Sequence, residues 1–303
     1  MPLTNMPQPS PSRFVRGLRD LAGGYDVILC DVWGVVHNGV MQYEQATDAL
    51  RRFREAGGSV VLITNAPRPR ARVADFLDHL KVPRDAYDGI VTSGDVTISL
   101  IREREGQPLA YIGPQEDTAL FCEAESAMDQ KLRFVDLGEA AYAVCIGLER
   151  AESETPADYE ARLRLLREHQ AEFICANPDI VVEMGDRLVY CAGALAESYE
   201  AMGGRVIQAG KPHAEIYARA LALASAKRGA IDRKRVLAIG DSAHTDIKGG
   251  QAQGFATLFV TSGIHRAELH AEGGNGRLNA AAFHQFFDTL GFAPTAVAAE
   301  LLW

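Results

Sequence analysis

Two stretches of the sequence place an aspartate directly after an apolar run, where it can do chemistry. In ILCDVWGVVHNG the acid is Asp31, and in IGDSAHTDIKGGQAQG it is Asp241, followed shortly by Asp246. A carboxylate at the end of a strand can act as a nucleophile, and a pair of carboxylates suits Mg²⁺, which prefers oxygen ligands and keeps several of its waters. Each motif taken singly also fits an acid that caps a turn or a helix. The chemistry therefore depends on whether the two stretches lie side by side.

Three further polar residues stand in comparable settings. The run SVVLITNA ends in Thr64 and Asn65, and QAGKPHAEIY contains Lys211 between a glycine and a proline. The lysine motif is not a Walker P-loop. Such a loop would need Gly at position 205 and Ser or Thr at position 212, but this chain has Arg205 and Pro212. Isolated lysines are usually exposed, but the apolar, glycine-marked surroundings of Lys211 favour a functional site. The sequence also contains no G-x-G-x-x-G motif, so it gives little support to dinucleotide binding.

The elements that must position these residues follow from the hydrophobic pattern. Short apolar runs alternate with longer segments of helical period, which is typical of a parallel sheet covered by helices. We therefore predict an α/β fold in which YDVILCD and RVLAIGD are strands ending at Asp31 and Asp241. Open parallel sheets bind ligands where the carboxyl ends of their strands converge. Asp31, Thr64 and Asp241 are expected to meet at that edge.

The middle of the chain has a pattern of its own. It contains the predicted strands LAYIGP, YAVCIGL and EFICANPD, with the helix TPADYEARLRLLREHQ between them. We interpret residues 105–205 as an inserted α/β domain, and residues 1–104 and 206–303 together as the core domain. The proline-rich start MPLTNMPQPSPSRF predicts a flexible tail over residues 1–13.

Composition excludes several classes of function. The chain has 303 residues, 47% of them hydrophobic, and a net charge of −9. This balance argues against a nucleic-acid partner, which requires a basic surface. The sequence lacks the roughly 18 to 20 consecutive apolar residues of a membrane span and the apolar core of a secretory signal. We therefore expect a cytoplasmic protein that contacts neither nucleic acid nor membrane.

The motifs as a set resemble those of the haloacid dehalogenase superfamily. CDVWGVVHNG, LITNAPRPR, AGKPHAEIY and IGDSAHTDIKGGQAQG occur in the order of its four motifs, with an insert between the second and the third. The insert resembles the α/β cap of the class IIA group of NagD-like phosphatases. The resemblance extends from Tyr25 to Ile264, and it implies a core of Rossmann type with a cap whose inner face selects the substrate.

The resemblance implies a role for each motif residue. Asp31 would be the nucleophile, attacking phosphorus to form an aspartyl phosphate that water then hydrolyses. Thr64 and the backbone amides near Asn65 would hold the phosphoryl oxygens. Lys211 would offset the charge that Asp31 shares with the phosphoryl group.

The resemblance also implies a Mg²⁺ cofactor. The carboxylates of Asp31 and Asp241 and the backbone carbonyl of Trp33 would bind the ion. Asp246 would be a further carboxylate around the metal, orienting its surroundings.

The insert supplies the expected substrate contacts. Asn177 and Asp179, in CANPDIVVEMGDR, lie in a segment that resembles the inner face of the cap, although both also fit turn-forming roles. Together with the core residues Trp33, Thr64, Asn65 and Lys211 they are the expected substrate-binding residues. The expected partner is a small phosphorylated metabolite, with sugar phosphates among the candidates, and the cap is a candidate surface for a homo-oligomer.

Trp33 departs from the family pattern. Most phosphatases of the superfamily have at this position a second Asp, which protonates the leaving group, and an indole cannot replace it. A Mg²⁺-dependent phosphatase that uses another acid or a good leaving group is the interpretation we favour, with His37 as one candidate acid. Two alternatives remain open: a catalytically weak protein that binds a phosphorylated metabolite, and a hydrolase that acts on a bond other than a phosphate ester.

Overall fold

Two parallel β-sheets organise the chain. The computed structural model describes residues 12–184, 187–270 and 278–303. The strands in these ranges are β1 (Arg13–Phe14), β2 (Val27–Cys30), β3 (Ser59–Thr64), β4 (Gly89–Thr92), β5 (Pro108–Ile112), β6 (Arg133–Phe134), β7 (Tyr142–Cys145), β8 (Glu172–Cys175), β9 (Val181–Met184), β10 (Arg187–Tyr190), β11 (Arg205–Gln208), β12 (Val236–Gly240), β13 (Ala256–Val260) and β14 (Ala296–Ala298). The larger sheet has the order β1-β14-β13-β12-β2-β3-β4, and the smaller has the order β11-β8-β7-β5-β6.

Helices cover both faces of the sheets. They are α1 (Arg19–Ala22), α2 (Glu44–Glu55), α3 (Arg70–His79), α4 (Ser93–Arg102), α5 (Ala119–Glu125), α6 (Glu160–Glu168), α7 (Ala192–Ala201), α8 (Ala214–Arg228), α9 (Lys248–Ala252), α10 (Arg266–Leu269) and α11 (Ala280–Leu290). None of the helices in the described ranges is long and apolar enough to cross a membrane.

The central strands of the larger sheet are continuous apolar runs. Both β2 and β3 are buried along their whole length, as strands with helices on both faces must be. Leu50 and Phe53 of α2 pack in the core on one face, and Ile216 and Tyr217 of α8 pack in the core on the other. The predicted α/β fold is confirmed.

The smaller sheet has a core of its own. Leu163 of α6 and Leu195 of α7 pack in the cluster on one face, and Leu120 of α5 packs in the cluster on the other. The sheet runs from Pro108 in β5 to Gln208 in β11, past the expected domain boundary at residue 205, because β11 pairs with β8 and not with the larger sheet. The division into core and insert at residues 104/105 and 205/206 stays a prediction.

Strands β9 and β10 form a separate antiparallel hairpin, which lies between β8 and β11 in the sequence. In its register Val181 lies opposite Tyr190, and Glu183 lies opposite Leu188. The hairpin follows the turn after β8 and precedes α7. It therefore belongs to the region in which substrate contacts are expected.

The start of the chain is partly described. Residues 1–11 of the expected flexible tail lie outside the described residues. Arg13, within the same predicted segment, belongs to β1 and pairs with Ala296 of β14 at the edge of the larger sheet.

Candidate active site

Three neighbouring strands bring the polar residues of the motifs to one edge of the larger sheet. Asp31 follows β2, Thr64 is the last residue of β3, and Asp241 follows β12, and these strands are adjacent in the order β12-β2-β3. All three side chains are buried. They line a cavity of about 70 Å³ together with Trp33 and Asn65.

Lys211 connects two carboxylates at the floor of this cavity. Its Nζ lies 2.5 Å from Asp31 Oδ1 and 2.6 Å from Asp246 Oδ1, and its side chain is only 3% exposed. Burial by itself lowers the pKa of a lysine, but the charges of Asp246 and Asp31 outweigh it and raise the pKa of Lys211 well above its ordinary value. The lysine is therefore a fixed positive charge in contact with Asp31.

Backbone amides orient the other two carboxylates. Ile264 N donates to Asp241 Oδ2 over 2.8 Å, and Ser242 N donates to Asp246 Oδ2 over 3.1 Å. A π-helical turn, Ala243–Ile247, carries Asp246 back toward the strand end, and such turns are frequent at functional sites. Both carboxylates are thus oriented by backbone donors.

The charges of the cluster are unbalanced. Carboxylate oxygens of Asp31, Asp241 and Asp246 lie within 4.8 Å of one another, and Lys211 supplies one compensating charge. Burial is the main cause that raises the pKa of Asp31 to about 7 against the attraction of Lys211, and burial with the nearby charge of Asp31 raises the pKa of Asp241 well above its ordinary value. Three buried oxygen donors with excess negative charge fit a hard divalent cation.

Trp33 forms part of the cavity wall. Its ring lies against His37, with ring centroids 5.1 Å apart, and the next residue, Gly34, has a positive φ of 84° that turns the loop beside Asp241. No carboxylate stands at position 33, so the indole occupies the place at which the family pattern has an acid.

His37 is not placed to protonate a leaving group. Its side chain packs edge-on against Trp33 and Phe76, it is only 2% exposed, and it is not among the residues that line the cavity. Its Nδ1 accepts a hydrogen bond from Gly39 N. Burial lowers the pKa of His37 to about 4, so the ring is neutral near pH 7. The histidine has a structural position beneath the indole.

Asn65 links the larger sheet to the insert. Its Nδ2 donates to Asp179 Oδ1 over 2.9 Å, and its Oδ1 accepts from Lys211 N over 2.7 Å. Asp179 lines the cavity, whereas Asn177 does not. The side-chain oxygen of Asn177 instead accepts from Asp179 N, which shapes the turn that presents the carboxylate. Of the two substrate contacts expected in the insert, only Asp179 lines the cavity.

The hairpin adds cavity-lining residues that the motifs did not single out. Val181, Val182 and Glu183 of β9 line the cavity. They lie within CANPDIVVEMGDR, the segment expected near the site, but no spacing in that segment distinguishes Glu183 from other surface acids. Ser242, Thr245 and Ile264 complete the lining around Asp241.

Known proteins are similar to this chain over most of its length. A family model described as haloacid dehalogenase-like hydrolase matches residues 28–126, and one described as HAD-hydrolase-like matches residues 208–291. A solved structure from Brucella suis 1330, described as a hydrolase of the haloacid dehalogenase-like family, is 42% identical, with a TM-score of 0.81 over 97% of this chain and 100% of that chain.

More distant relatives share most of the chain's length. The 5'-nucleotidase YutF of Bacillus subtilis is 26% identical over 246 residues, which are 80% of this chain and 90% of the relative. NagD from Escherichia coli K-12 has the same fold, with a TM-score of 0.62 at 22% identity over 91% of this chain and 96% of that chain. The chain therefore belongs to the haloacid dehalogenase-like hydrolase family.

Proposed function

We propose that this hydrolase is a Mg²⁺-dependent phosphatase of small phosphorylated metabolites, with Asp31 as its nucleophile. The observation that carries the proposal is the contact between the Asp31 carboxylate and the buried Lys211 ammonium, 2.5 Å apart, inside a cavity lined by further carboxylates. The name of the relative YutF, a 5'-nucleotidase, supports phosphate-ester hydrolysis.

The proposed reaction has two steps at Asp31. An Asp31 carboxylate oxygen attacks phosphorus, and the bond between phosphorus and the leaving-group oxygen breaks. Water then attacks phosphorus, the bond to Asp31 breaks, and inorganic phosphate leaves. Lys211 offsets the charge shared by the nucleophile and the phosphoryl oxygens, while the Thr64 hydroxyl and the amides near Asn65 hold those oxygens.

The proposed cofactor would be held by the unbalanced carboxylates. Asp31 and Asp241, with the backbone carbonyl of Trp33, would bind Mg²⁺, and Asp246 would orient the surroundings of the ion. When bound, the ion supplies positive charge next to the transferring phosphoryl group. Trp33 stands where the family usually has Asp. The proposed contact between the backbone carbonyl of residue 33 and Mg²⁺ is still possible, because every residue has a backbone carbonyl.

The insert is proposed to choose the substrate. Asp179, Val181, Val182 and Glu183 face the same cavity as Asp31, so a leaving group attached to the phosphoryl group has to contact them. This arrangement supports a small metabolite, including sugar phosphates, as the substrate class. A cytoplasmic location and a homo-oligomer through the insert stay predictions.

The test is a screen of the purified protein against phosphorylated metabolites with MgCl₂, followed by Asp31→Asn. We expect Mg²⁺-dependent release of phosphate and a loss of at least about 10³-fold in kcat for Asp31→Asn, as for other removed nucleophiles. Asp129→Asn, at an exposed position of the insert, is the matched control and should keep full activity.

The same experiment separates the alternatives. If Asp31→Asn keeps wild-type turnover, the covalent mechanism is wrong. If the wild-type protein binds a metabolite of the panel tightly but releases no phosphate from any of them, the binding protein is the better description.

A further inference from the structure

We propose that Glu183 of the β9–β10 hairpin supplies the proton-transfer carboxyl group that position 33 lacks. The proposal rests on the proposed phosphatase function and adds to it a catalytic group from the insert. It starts from the observation that Glu183 and Trp33 line the same cavity as the proposed nucleophile Asp31.

The other ionisable groups of the cavity are already engaged. Lys211 contacts Asp31 and Asp246, Asp241 accepts from the backbone of Ile264, and Asp179 accepts from Asn65. Within the described ranges of the chain, the Glu183 carboxylate has no hydrogen bond or ion pair. It is thus the cavity carboxylate that is free to contact a substrate.

The charge of Glu183 also acts on the loop that begins at Trp33. Burial is the main cause that raises the pKa of Tyr43, and the charges of Glu183 and Asp241 add to it. Tyr43 stands at the end of the loop that Trp33 begins, and its backbone N–H donates to Val36 O within that loop. Glu183 thus shares the cavity with Trp33, the residue that stands where the family pattern has its acid.

Asp179 is engaged in another hydrogen bond and is less suited to the task. Its carboxylate is bound by Asn65, whose own oxygen holds the backbone of Lys211. Lys211 and the amides near Asn65 are the groups proposed to face the phosphoryl oxygens. A proton for the leaving group is needed away from those oxygens.

The other cavity-lining residues of the hairpin also suit a leaving group. Val181 and Val182 line the cavity with the Trp33 indole, so the carbon skeleton of a leaving group would contact apolar surfaces. The Glu183 side chain is exposed and extends from the same strand.

The proposed step balances in protons and bonds. As the Asp31–phosphorus bond forms and the ester bond breaks, the Glu183 carboxylic acid transfers its proton to the leaving oxygen, which departs as an alcohol. The Glu183 carboxylate then takes a proton from the water that attacks the aspartyl phosphate. That attack breaks the bond to Asp31, releases phosphate and restores the acid.

The test compares leaving groups in Glu183→Gln. General acid–base catalysis contributes typically about 10²- to 10⁴-fold, so kcat/KM, which reports the step that breaks the ester bond, should fall by that range for sugar and glycerol phosphates, whose alkoxides need a proton. With 4-nitrophenyl phosphate, whose leaving group is acidic, we expect a loss of less than about tenfold. Glu168→Gln, at an exposed position of α6, is the matched control and should leave kcat/KM for both substrates unchanged.

Two further measurements exclude a merely structural effect. Glu183→Gln should remove the limb of the pH dependence of kcat/KM that requires the protonated acid with the alkyl phosphates. The double variant Trp33→Asp, Glu183→Gln should regain at least about tenfold of the lost alkyl-phosphate activity, because an acid returns on the same side of the cavity.

The outcomes distinguish this inference from the proposed function. Equal losses of kcat/KM on alkyl and aryl phosphates, or no loss on either, would overturn the role of Glu183 while Asp31-dependent turnover by the wild type still stands. Absence of Asp31-dependent turnover on every substrate would overturn both proposals.

Discussion

The side-chain amide of Asn65 donates a hydrogen bond to the Asp179 carboxylate over 2.9 Å and so joins the end of β3 to the turn that follows β8. The oxygen of the same Asn65 side chain accepts a hydrogen bond from Lys211 N. One side chain therefore connects the larger sheet, the insert and the loop that carries the buried lysine. The position of the insert over the cavity is coupled in this way to the position of Lys211.

Asp179→Ala should lower kcat/KM by about tenfold, since a hydrogen bond to a charged group contributes about 1.5 to 3 kcal/mol. Asp179→Asn keeps an oxygen that can accept from Asn65, so its loss should be smaller. Steady-state kinetics on the best substrate of the metabolite panel measure both variants. An Asp179→Ala enzyme with unchanged kcat/KM would show that this bond does not position the insert for catalysis.

Gly34→Ala should weaken Mg²⁺ binding. Gly34 has a φ of 84°, and a Cβ on it would overlap the Asp241 carboxylate, so that side chain would have to leave its position beside Asp31. We expect a dissociation constant at least about tenfold higher, equivalent to about 1.4 kcal/mol, in calorimetric titration with MgCl₂.

Gly254→Ala is the matched control for this prediction. Gly254 has a similar φ of 77°, but a Cβ there meets nothing within 4 Å. Both variants should lose stability through the unfavourable backbone conformation, while only Gly34→Ala should lose metal affinity. Equal Mg²⁺ affinity in the two variants would contradict the assignment of Asp241 to the metal.

The strand ends show how far the sequence predicts the site. Asp31, Thr64 and Asp241 each follow or end a continuous apolar run, and parallel strands bring such ends together whatever the intervening chain does. Their convergence was therefore predictable from local pattern. Lys211 was predictable only in part, since its glycine-marked setting indicated a functional lysine but not the two carboxylates that it contacts.

The contributions of the insert depend on tertiary geometry. Glu183 reaches the cavity because the chain folds back as a hairpin after β8. The sequence around Glu183 does not distinguish it from a solvated surface acid. Asn177 and Asp179 are two residues apart, yet only the second lines the cavity because the first is used to hold its backbone. His37 looked available from its spacing, but the loop folds it beneath Trp33.

Asp88 should affect stability without affecting catalysis. It stands just before β4 at the amino ends of the strands, away from the cavity. Its side chain, 2% exposed, accepts from Arg54, Ser59 Oγ and Val60 N. Asp88→Asn should lower the free energy of unfolding by about 1.5 to 3 kcal/mol, the range for hydrogen bonds to charged groups, and leave kcat at pH 7 within about twofold.

The effect of Asp88→Asn should depend on pH with a defined sign. Burial alone would raise the pKa of Asp88, but its hydrogen bonds with Arg54, Lys227, Ser59 and Val60 hold the pKa below the ordinary value of 3.8. A lowered pKa in the folded state gives stability that is complete above pH 3.8 and is lost as the pH falls below it. Urea unfolding from pH 7 down to pH 2 should therefore show the two proteins converging, and a constant difference over that range would contradict the prediction.

Gly39→Ala tests whether the Trp33 indole is a wall for the leaving group. Gly39 has a φ of 87°, and a Cβ on it would overlap the six-membered ring of the indole. His37 packs against the same side chain, so the indole would have to shift in the cavity that it lines. We expect kcat/KM for sugar phosphates to fall by about tenfold, equivalent to about 1.4 kcal/mol, with a smaller loss for the lightest alkyl phosphates, which contact less of the wall.

Gly57→Ala separates this contact from the cost of the backbone. Gly57 has a φ of 94° and a Cβ on it meets nothing within 4 Å, so both variants carry a similar conformational penalty of about 1 to 2 kcal/mol. Comparable thermal unfolding with a loss of kcat/KM confined to Gly39→Ala would assign the loss to the displaced indole. If the two variants lose kcat/KM equally, or if the Gly39→Ala loss is the same for large and small leaving groups, Trp33 does not contact the leaving group. The residue that replaces the usual acid would then serve only through its backbone carbonyl.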